Sequence, residues 1–204
     1  MKIAVILLAA GMSTRMNGHK LLVELDGKAL VSYPVEAALR SHADTVLVVL
    51  GHNGDAVRSV LRQGRQQYIV NDRYQAGMST SLQAGISALA EDIDGAIILL
   101  GDQPLVTPDL IDQIIAAAAE HPGHIIVTGY GAASGTPVFF PRKHFPDLLV
   151  LRGDTGGKPV IQRHAAEVVV VPSPRPDTAR DVDTPEELER LRKEWQAYSS
   201  TLDT

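Results

Sequence analysis

Four charged residues outline the chemistry open to this chain: Arg15, Lys20, Asp102 and Asp183. The first two lie in Leu8-Ala9-Ala10-Gly11-Met12-Ser13-Thr14-Arg15-Met16-Asn17-Gly18-His19-Lys20, straight after the apolar run Ile3 to Leu8. Small residues at 9 to 11 let a ligand approach the backbone closely, and two cations stand where an anion would lie. A buried strand emptying into such a loop suits phosphate groups. The plainer alternative, a polar turn with Ser13 or Thr14 capping a helix, leaves both cations idle.

The spacing excludes two other glycine-rich loops. A P-loop needs G-x-x-x-x-G-K-[ST], whereas six residues separate Gly11 from Gly18 and Leu21 follows Lys20. There is no G-x-G-x-x-G dinucleotide fingerprint either.

Asp102 sits in Gly101-Asp102-Gln103-Pro104, after the apolar run Ala96 to Leu100. Ligands of open α/β sheets gather at the carboxyl ends of strands, and a carboxylate there can hold Mg²⁺ against phosphate oxygens. Taken alone, Asp102 equally fits a turn shaped with Pro104. Asp183 belongs to Arg180-Asp181-Val182-Asp183-Thr184-Pro185-Glu186-Glu187-Leu188. There Thr184 reads as an N-cap, Pro185 as the first helical residue and Glu187 as the partner in a capping box. That accounts for 184 to 187 and leaves Asp183 and Asp181 unexplained, the latter better suited to a turn.

Two further stretches carry possible ligand contacts. In Asn71 to Gly85, Gly77 suits a turn and the hydroxyls Ser79 and Thr80 suit capping; a helix start also offers free N–H groups to a nucleotide. In Leu151-Arg152-Gly153-Asp154-Thr155-Gly156-Gly157-Lys158, three glycines with an Arg and a Lys suit an anionic group, or form a plain turn.

Taken together, A-A-G-x-S-x-R-M-x-x-x-K, G-D-Q-P and D-x-D-T-P resemble the motifs of nucleotidyltransferases with a glycosyltransferase-A-like fold, and most closely the molybdenum cofactor cytidylyltransferase family. The resemblance spans roughly residues 3 to 195. It implies an Mg²⁺-dependent transferase in which Arg15, Lys20 and Asp102 are catalytic and Asp102 and Asp183 hold the metal. Leu8, Ala9, Ala10, Gly11, Asn71, Ser81, Gly101, Gly153 and Asp154 would bind substrate, Ser81 near the base. Related enzymes that use GTP tend to carry Gly at position 10, so Ala10 implies CTP. The implied acceptor is molybdopterin cofactor, and the implied partner is a recipient molybdenum hydroxylase. The sequence departs from the family at Asn17, usually Gly, and at Thr136 in Ser134-Gly135-Thr136-Pro137, often His.

The elements that must position these residues follow from hydrophobic pattern. Expected strands are Ile3 to Leu8, Thr45 to Leu50, Gln67 to Val70, Ala96 to Leu100, Ile125 to Thr128, Thr136 to Phe140 and Glu167 to Val171. Expected helices are Val31 to Ser41, Asp55 to Arg62, Thr80 to Ala90, Asp109 to Glu120, Lys143 to Val150, Lys158 to His164 and Pro185 to Tyr198. Alternation of apolar runs with helical patterns predicts an α/β fold, a three-layer α/β/α Rossmann-like mostly parallel sheet. The resemblance makes it the nucleotide-diphospho-sugar transferase type. Asp26-Gly27 predicts a small hairpin within Leu22 to Leu30, and Pro172 to Pro176 a stiff connector. One domain over 1–198 is expected, with a nucleotide-binding half (1–105), an acceptor-binding half (106–198) and a tail (199–204).

Composition bounds the alternatives. The chain has 204 residues, 45% of them hydrophobic, enough for one substantial core. A net charge of −5 without a Lys/Arg-rich run disfavours nucleic acid as a partner. The absence of cysteine excludes thiolate metal sites and cysteine nucleophiles. Met1-Lys2-Ile3 enters a strand directly and no apolar stretch approaches about 18 residues, so a cytoplasmic protein without membrane association is expected. His121 and His124 flank a surface turn, and His42, His144 and His164 stand isolated, with no third ligand evident at metal spacing. Gly51-His52-Asn53-Gly54 reads as a helix-entry turn, with a pocket edge as the alternative.

This inventory suits attack by a phosphomonoester oxygen on the α-phosphorus of a nucleoside triphosphate. Such a nucleophile is already anionic near neutral pH, so positioning and charge neutralisation suffice. A transferase acting on a sugar phosphate or another small phosphate ester, and a nonenzymatic cofactor-binding accessory protein, remain alternatives.

Overall fold

The computed structural model describes residues 1–12, 20–174 and 182–202. Ser13, Thr14, Arg15, Asn17 and Gly18 of the first loop therefore lie outside the described residues, as do Arg175 and Pro176 of the connector and Asp181.

In chain order the strands are β1 (Ile3–Ala9), β2 (Glu24–Leu25), β3 (Lys28–Ala29), β4 (Thr45–Leu50), β5 (Gln67–Val70), β6 (Gly95–Leu100), β7 (Ile125–Tyr130), β8 (Ala133–Pro141) and β9 (Val168–Pro172). The helices are α1 (Ser32–Arg40), α2 (Gly54–Val60), α3 (Met78–Ser87), α4 (Pro108–Glu120), α5 (Phe145–Leu149), α6 (Lys158–Arg163) and α7 (Pro185–Leu202). Seven strands form one sheet in the order β5-β4-β1-β6-β8-β7-β9. All neighbours run parallel except β8, which is antiparallel to both β6 and β7. Only two residues join β7 to β8, too few for the crossover that a parallel pair needs.

The apolar runs are continuous because both faces of the sheet are covered. Along β1, Ile3, Val5, Leu7 and Ala9 enter one core while Ile6 and Leu8 enter the other. The register pairs Ala9 with Leu50, Leu8 with Leu100 and Leu50 with Val70, so the loops leaving β1, β4, β5 and β6 emerge along one edge. That edge carries most of the motifs.

A third, smaller core binds the C-terminal helix to the β2–β3 hairpin: Leu188, Leu191 and Trp195 pack with Leu25, Leu30, Leu105 and Val182. The Trp195 indole N–H donates to Asp26 Oδ2 at 3.1 Å, and its ring meets Tyr33 edge-on at 4.7 Å. Asp26 and Gly27 both have positive φ (50° and 76°), the turn geometry that Asp-Gly favours.

Every helix departs by at least one residue from its expected bounds, and three of the departures have a clear cause or consequence. The span 143–150 divides into a 3-10 turn, Arg142–His144, and α5, whose second residue Pro146 lacks the N–H a continuous helix would use. Helix α3 begins at Met78 after Gly77, with neither Ser79 nor Thr80 as its cap; the Thr80 hydroxyl lies 2.9 Å from both the Arg73 and Gly77 carbonyls. Helix α7 continues to Leu202, into the span expected as a tail. Among the described residues no helix is long and apolar enough to cross a membrane.

Candidate nucleotide site

Two backbone hydrogen bonds bring the motifs together. The Gly101 N–H donates to the Leu8 carbonyl at 3.0 Å, which ties the exit of β6 to the exit of β1. The Val182 N–H donates to the Asp102 carbonyl at 3.2 Å, which sets Asp183 beside Asp102. The predicted capping box then holds the segment: Glu187 Oε2 accepts from the N–H groups of Asp183 (2.8 Å) and Thr184 (2.9 Å), and Thr184 Oγ1 accepts from Glu187 N–H (3.2 Å).

Lys20 opens the 3-10 turn Lys20–Leu22 and reaches both carboxylates. Its Nζ is 2.5 Å from Asp102 Oδ2 and 2.6 Å from Asp183 Oδ1. The ammonium is largely buried, which by itself would lower its pKa. Asp102 and Asp183 outweigh that burial and raise the pKa above the usual lysine value. The second Asp102 oxygen, Oδ1, is buried and has no hydrogen-bond partner among the described residues. An orphaned carboxylate oxygen beside a second carboxylate is the donor set a hard divalent cation takes, so these residues fit Mg²⁺ or Mn²⁺.

The triad forms part of the lining of a cavity of about 590 Å³. Of the residues singled out from sequence, Leu8, Ala10, Gly11, Lys20, Ser81, Gly101, Asp102, Asp154 and Asp183 line it. Ala9 faces the core beneath β1 and Asn71 is buried behind the wall. Gly153 stands behind Asp154, its carbonyl accepting from Ser79 N–H at 3.2 Å. Arg15 is outside the described residues.

Asn71 acts through its neighbours. Its Nδ2 donates to Thr80 Oγ1 (2.9 Å) and Ser81 Oγ (3.0 Å), and its Oδ1 accepts from Arg73 N–H (3.0 Å). This buried network fixes the Ser81 hydroxyl in the wall. On the far side, Gly77 lies so close to Gly153 that a Cβ there would sit 2.3 Å from the Gly153 carbonyl carbon, and its φ of +104° suits only glycine. The contact delivers Asp154, whose Oδ1 accepts from Met78 N–H at 3.3 Å at the start of α3. The 152–158 turn thus places a carboxylate, not Arg152 or Lys158, on the cavity wall.

Tyr74, Gln75 and Met78 also line the cavity and were not singled out from sequence; for Tyr74, close packing at Gly51 sets the position. A Cβ on Gly51 would fall 2.7 Å from Ala10 Cβ and 2.8 Å from Tyr74 Cβ, so Gly51 lets the two walls approach. Thr136, which departs from the family pattern, donates its hydroxyl to Gln103 Oε1 at 2.9 Å and braces the G-D-Q-P turn.

The MobA-like NTP transferase domain, a known protein family, matches residues 5–168. The chain belongs to this family. This MobA-like chain is 30% identical over 197 residues to the purine catabolism protein PucB of Bacillus subtilis (strain 168), covering 92% of this chain and 95% of that one. Among solved structures, the Rv0371c homologue from Mycobacterium sp. strain JC1 superposes with a TM-score of 0.84 at 27% identity, over 97% of this chain and 99% of the other. Rv0371c of Mycobacterium tuberculosis H37Rv in complex with manganese gives 0.79 at 27%, over 95% and 99%. The resemblance to molybdenum cofactor cytidylyltransferases and the nucleotide-diphospho-sugar transferase type of fold therefore hold, and the chain is a transferase of the nucleotidyl class.

Family membership sharpens an electrostatic point. Among the described lining residues, Lys20 is the one cation against Asp102, Asp154 and Asp183. These carboxylates outnumber the ammonium and repel a bare triphosphate, and a divalent ion offsets their excess charge.

Proposed function

We propose that this transferase moves CMP from CTP to molybdopterin cofactor, giving molybdopterin cytosine dinucleotide and pyrophosphate. The observation that carries the reading is the pair Asp102 and Asp183 held on one ammonium, Lys20, in the cavity that Ala10 and Gly11 also line. Bound by Asp102 and Asp183, Mg²⁺ would supply charge neutralisation at the triphosphate; the manganese complex of Rv0371c, said of that protein, supports a divalent requirement.

The chain's own residues do the rest. Lys20, with Arg15, neutralises the phosphates of the nucleotide. Leu8, Ala10 and Gly11 hold the base at the exit of β1, with Ala9 supporting them from the core side, and the Ala10 methyl, packed on Gly51, narrows that wall towards a pyrimidine. Asn71 sets Ser81 near the base, and Gly101 packs closely on Leu8 and Leu21 just before Asp102. Asp154 faces the acceptor from the C-terminal half, residues 106–198, with Gly153 holding its turn against α3, while 1–105 carry the nucleotide. An oxygen of the cofactor's phosphomonoester attacks the α-phosphorus in line, a new P–O bond forms, and the bond to the β-phosphate bridge breaks as pyrophosphate leaves. The electrons stay on the leaving pyrophosphate, so no side chain need become a covalent intermediate.

The product would pass to a molybdenum hydroxylase in the cytoplasm, with no nucleic acid or membrane involved. The test is product identity: with CTP, Mg²⁺ and molybdopterin cofactor the enzyme should form the cytosine dinucleotide in equal amount to pyrophosphate. Transfer to a sugar phosphate in preference to molybdopterin, or cofactor binding without pyrophosphate release, would instead favour one of the two alternatives.

A further inference from the structure

We propose that His144, His164 and Glu167 form a second metal site, for Zn²⁺ or a similar borderline ion, at the end of the sheet opposite the nucleotide cavity. The three come from separate turns. His144 closes the 3-10 turn after β8, His164 follows α6, and Glu167 ends the 3-10 turn Ala165–Glu167 before β9. Pro141 pairs with Gly95 at the start of β6 and Val168 with Ile125 at the start of β7, so this cluster occupies the edge where parallel strands begin. The cavity lies where they end.

One donor atom from each of the three lies within 4.8 Å of the others. His144 Nε2 is 3.0 Å from Glu167 Oε2, and the two imidazole centroids are 4.2 Å apart. Ligands sharing a tetrahedral Zn²⁺ at about 2.0–2.2 Å stand roughly 3.4 Å from one another. The contraction required is at most about 1.4 Å, within reach of His164 and Glu167, which are partly exposed. His144 is the fixed member, its side chain only 4% exposed.

The surrounding charges are compatible with an incoming dication. Lys143 Nζ lies 2.6 Å from Glu167 Oε2 on a half-exposed side chain, free to swing into water when an ion takes its place. Asp147 Oδ2 holds His164 Nε2 at 2.8 Å, and Arg163 in turn holds Asp147 Oδ1 at 2.7 Å. A carboxylate on the imidazole is the outer-shell arrangement that orients metal-binding histidines. Burial first, and then the charge of His164, keep His144 below the usual histidine pKa, so it is neutral at neutral pH, the form a metal binds. Two imidazoles and a carboxylate favour Zn²⁺ over Mg²⁺, whereas the oxygen-only pair Asp102 and Asp183 favours the reverse. A bound ion would clamp the exit of β8, the end of α6 and the entry to β9.

The experiment is calorimetric titration of Zn²⁺ into metal-stripped, tag-free protein with Mg²⁺ in excess, on the wild type, His164→Gln, Glu167→Gln and Asp102→Asn. The expected result is one Zn²⁺ per chain in the wild type and in Asp102→Asn. Affinity should fall at least about tenfold in His164→Gln and Glu167→Gln. Zn²⁺ should raise Tm of the wild type and not of those two variants, whose Mg²⁺-supported pyrophosphate release should be unchanged. Both substitutions are at partly exposed positions, so folding is preserved for the comparison. Equal Zn²⁺ affinity in all four proteins, no Zn²⁺ binding by the wild type, or loss of binding in Asp102→Asn alone would overturn the proposal. The site is independent of the reaction proposed above, and the activity arm separates the two.

Discussion

The Lys20 ammonium meets the Asp102 carboxylate at 2.5 Å across 82 residues of sequence, with Asp183 at 2.6 Å on its other side. Lysine here stands in the place between two carboxylates that a cation would take. Replacing it by Met should leave Asp102 and Asp183 facing each other without compensation, costing stability in metal-free buffer. Mg²⁺ should therefore raise Tm more in Lys20→Met than in the wild type, while kcat/KM falls roughly 10²-fold or more. Equal metal-induced shifts, measured by differential scanning fluorimetry, would show that Lys20 does not compensate this pair.

Ala10 packs against Gly51 in the wall of the cavity. Ala10→Gly removes the methyl and widens the wall, so the ratio of kcat/KM for GTP to that for CTP should rise by roughly tenfold, the usual scale for one methyl group in a pocket. An unchanged ratio in steady-state assays would remove Ala10 from nucleotide choice.

Gly77 tests the link between the two halves of the site. An Ala there collides with the Gly153 backbone and is strained at φ +104°, at a cost of about 1–3 kcal/mol. Because the same contact places Asp154, Gly77→Ala should raise KM for the acceptor more than KM for the nucleotide. Asn71→Ala should show the opposite bias, raising nucleotide KM, because the Thr80 and Ser81 hydroxyls lose their shared donor.

His144 predicts an acid limb of stability. Its folded pKa lies below the unfolded value of about 6.5, so the unfolded chain binds the proton more readily. The contribution is whole above about 6.5 and is lost as the pH falls below it. Asp147 and Glu167, each with a lowered pKa from its cationic and histidine neighbours, add losses only in the carboxylate range. Tm recorded between about pH 7.5 and 5 should fall less in His144→Gln than in the wild type.

What was legible in the sequence depended on how local its cause was. Thr45–Leu50 and Gln67–Val70 match their expected bounds because β-branched and apolar runs flanked by turns declare a strand, buried in the first case and at the sheet edge in the second. The Asp26-Gly27 turn and the Thr184–Glu187 box are likewise local, and both are present. The place of β8 between β6 and β7, antiparallel to both, depends on which strands the chain meets after β7, and no single segment states that. At the site, each motif announced itself, yet the hydrogen bond from Val182 to Asp102 that unites two of them joins distant segments. The same holds for Asp154, whose turn looked cationic and places a carboxylate instead. His144 and His164 looked isolated because their partner, Glu167, belongs to a third turn.

The proposed reaction is cytidylyl transfer with Asp102 holding the metal. Pyrophosphate release from CTP, GTP and UTP, each with molybdopterin cofactor and Mg²⁺, should be fastest with CTP, should require the cofactor, and should fall by roughly 10²-fold or more in Asp102→Ala. Release from CTP at the original rate by Asp102→Ala, or a preference for another nucleotide, would contradict it.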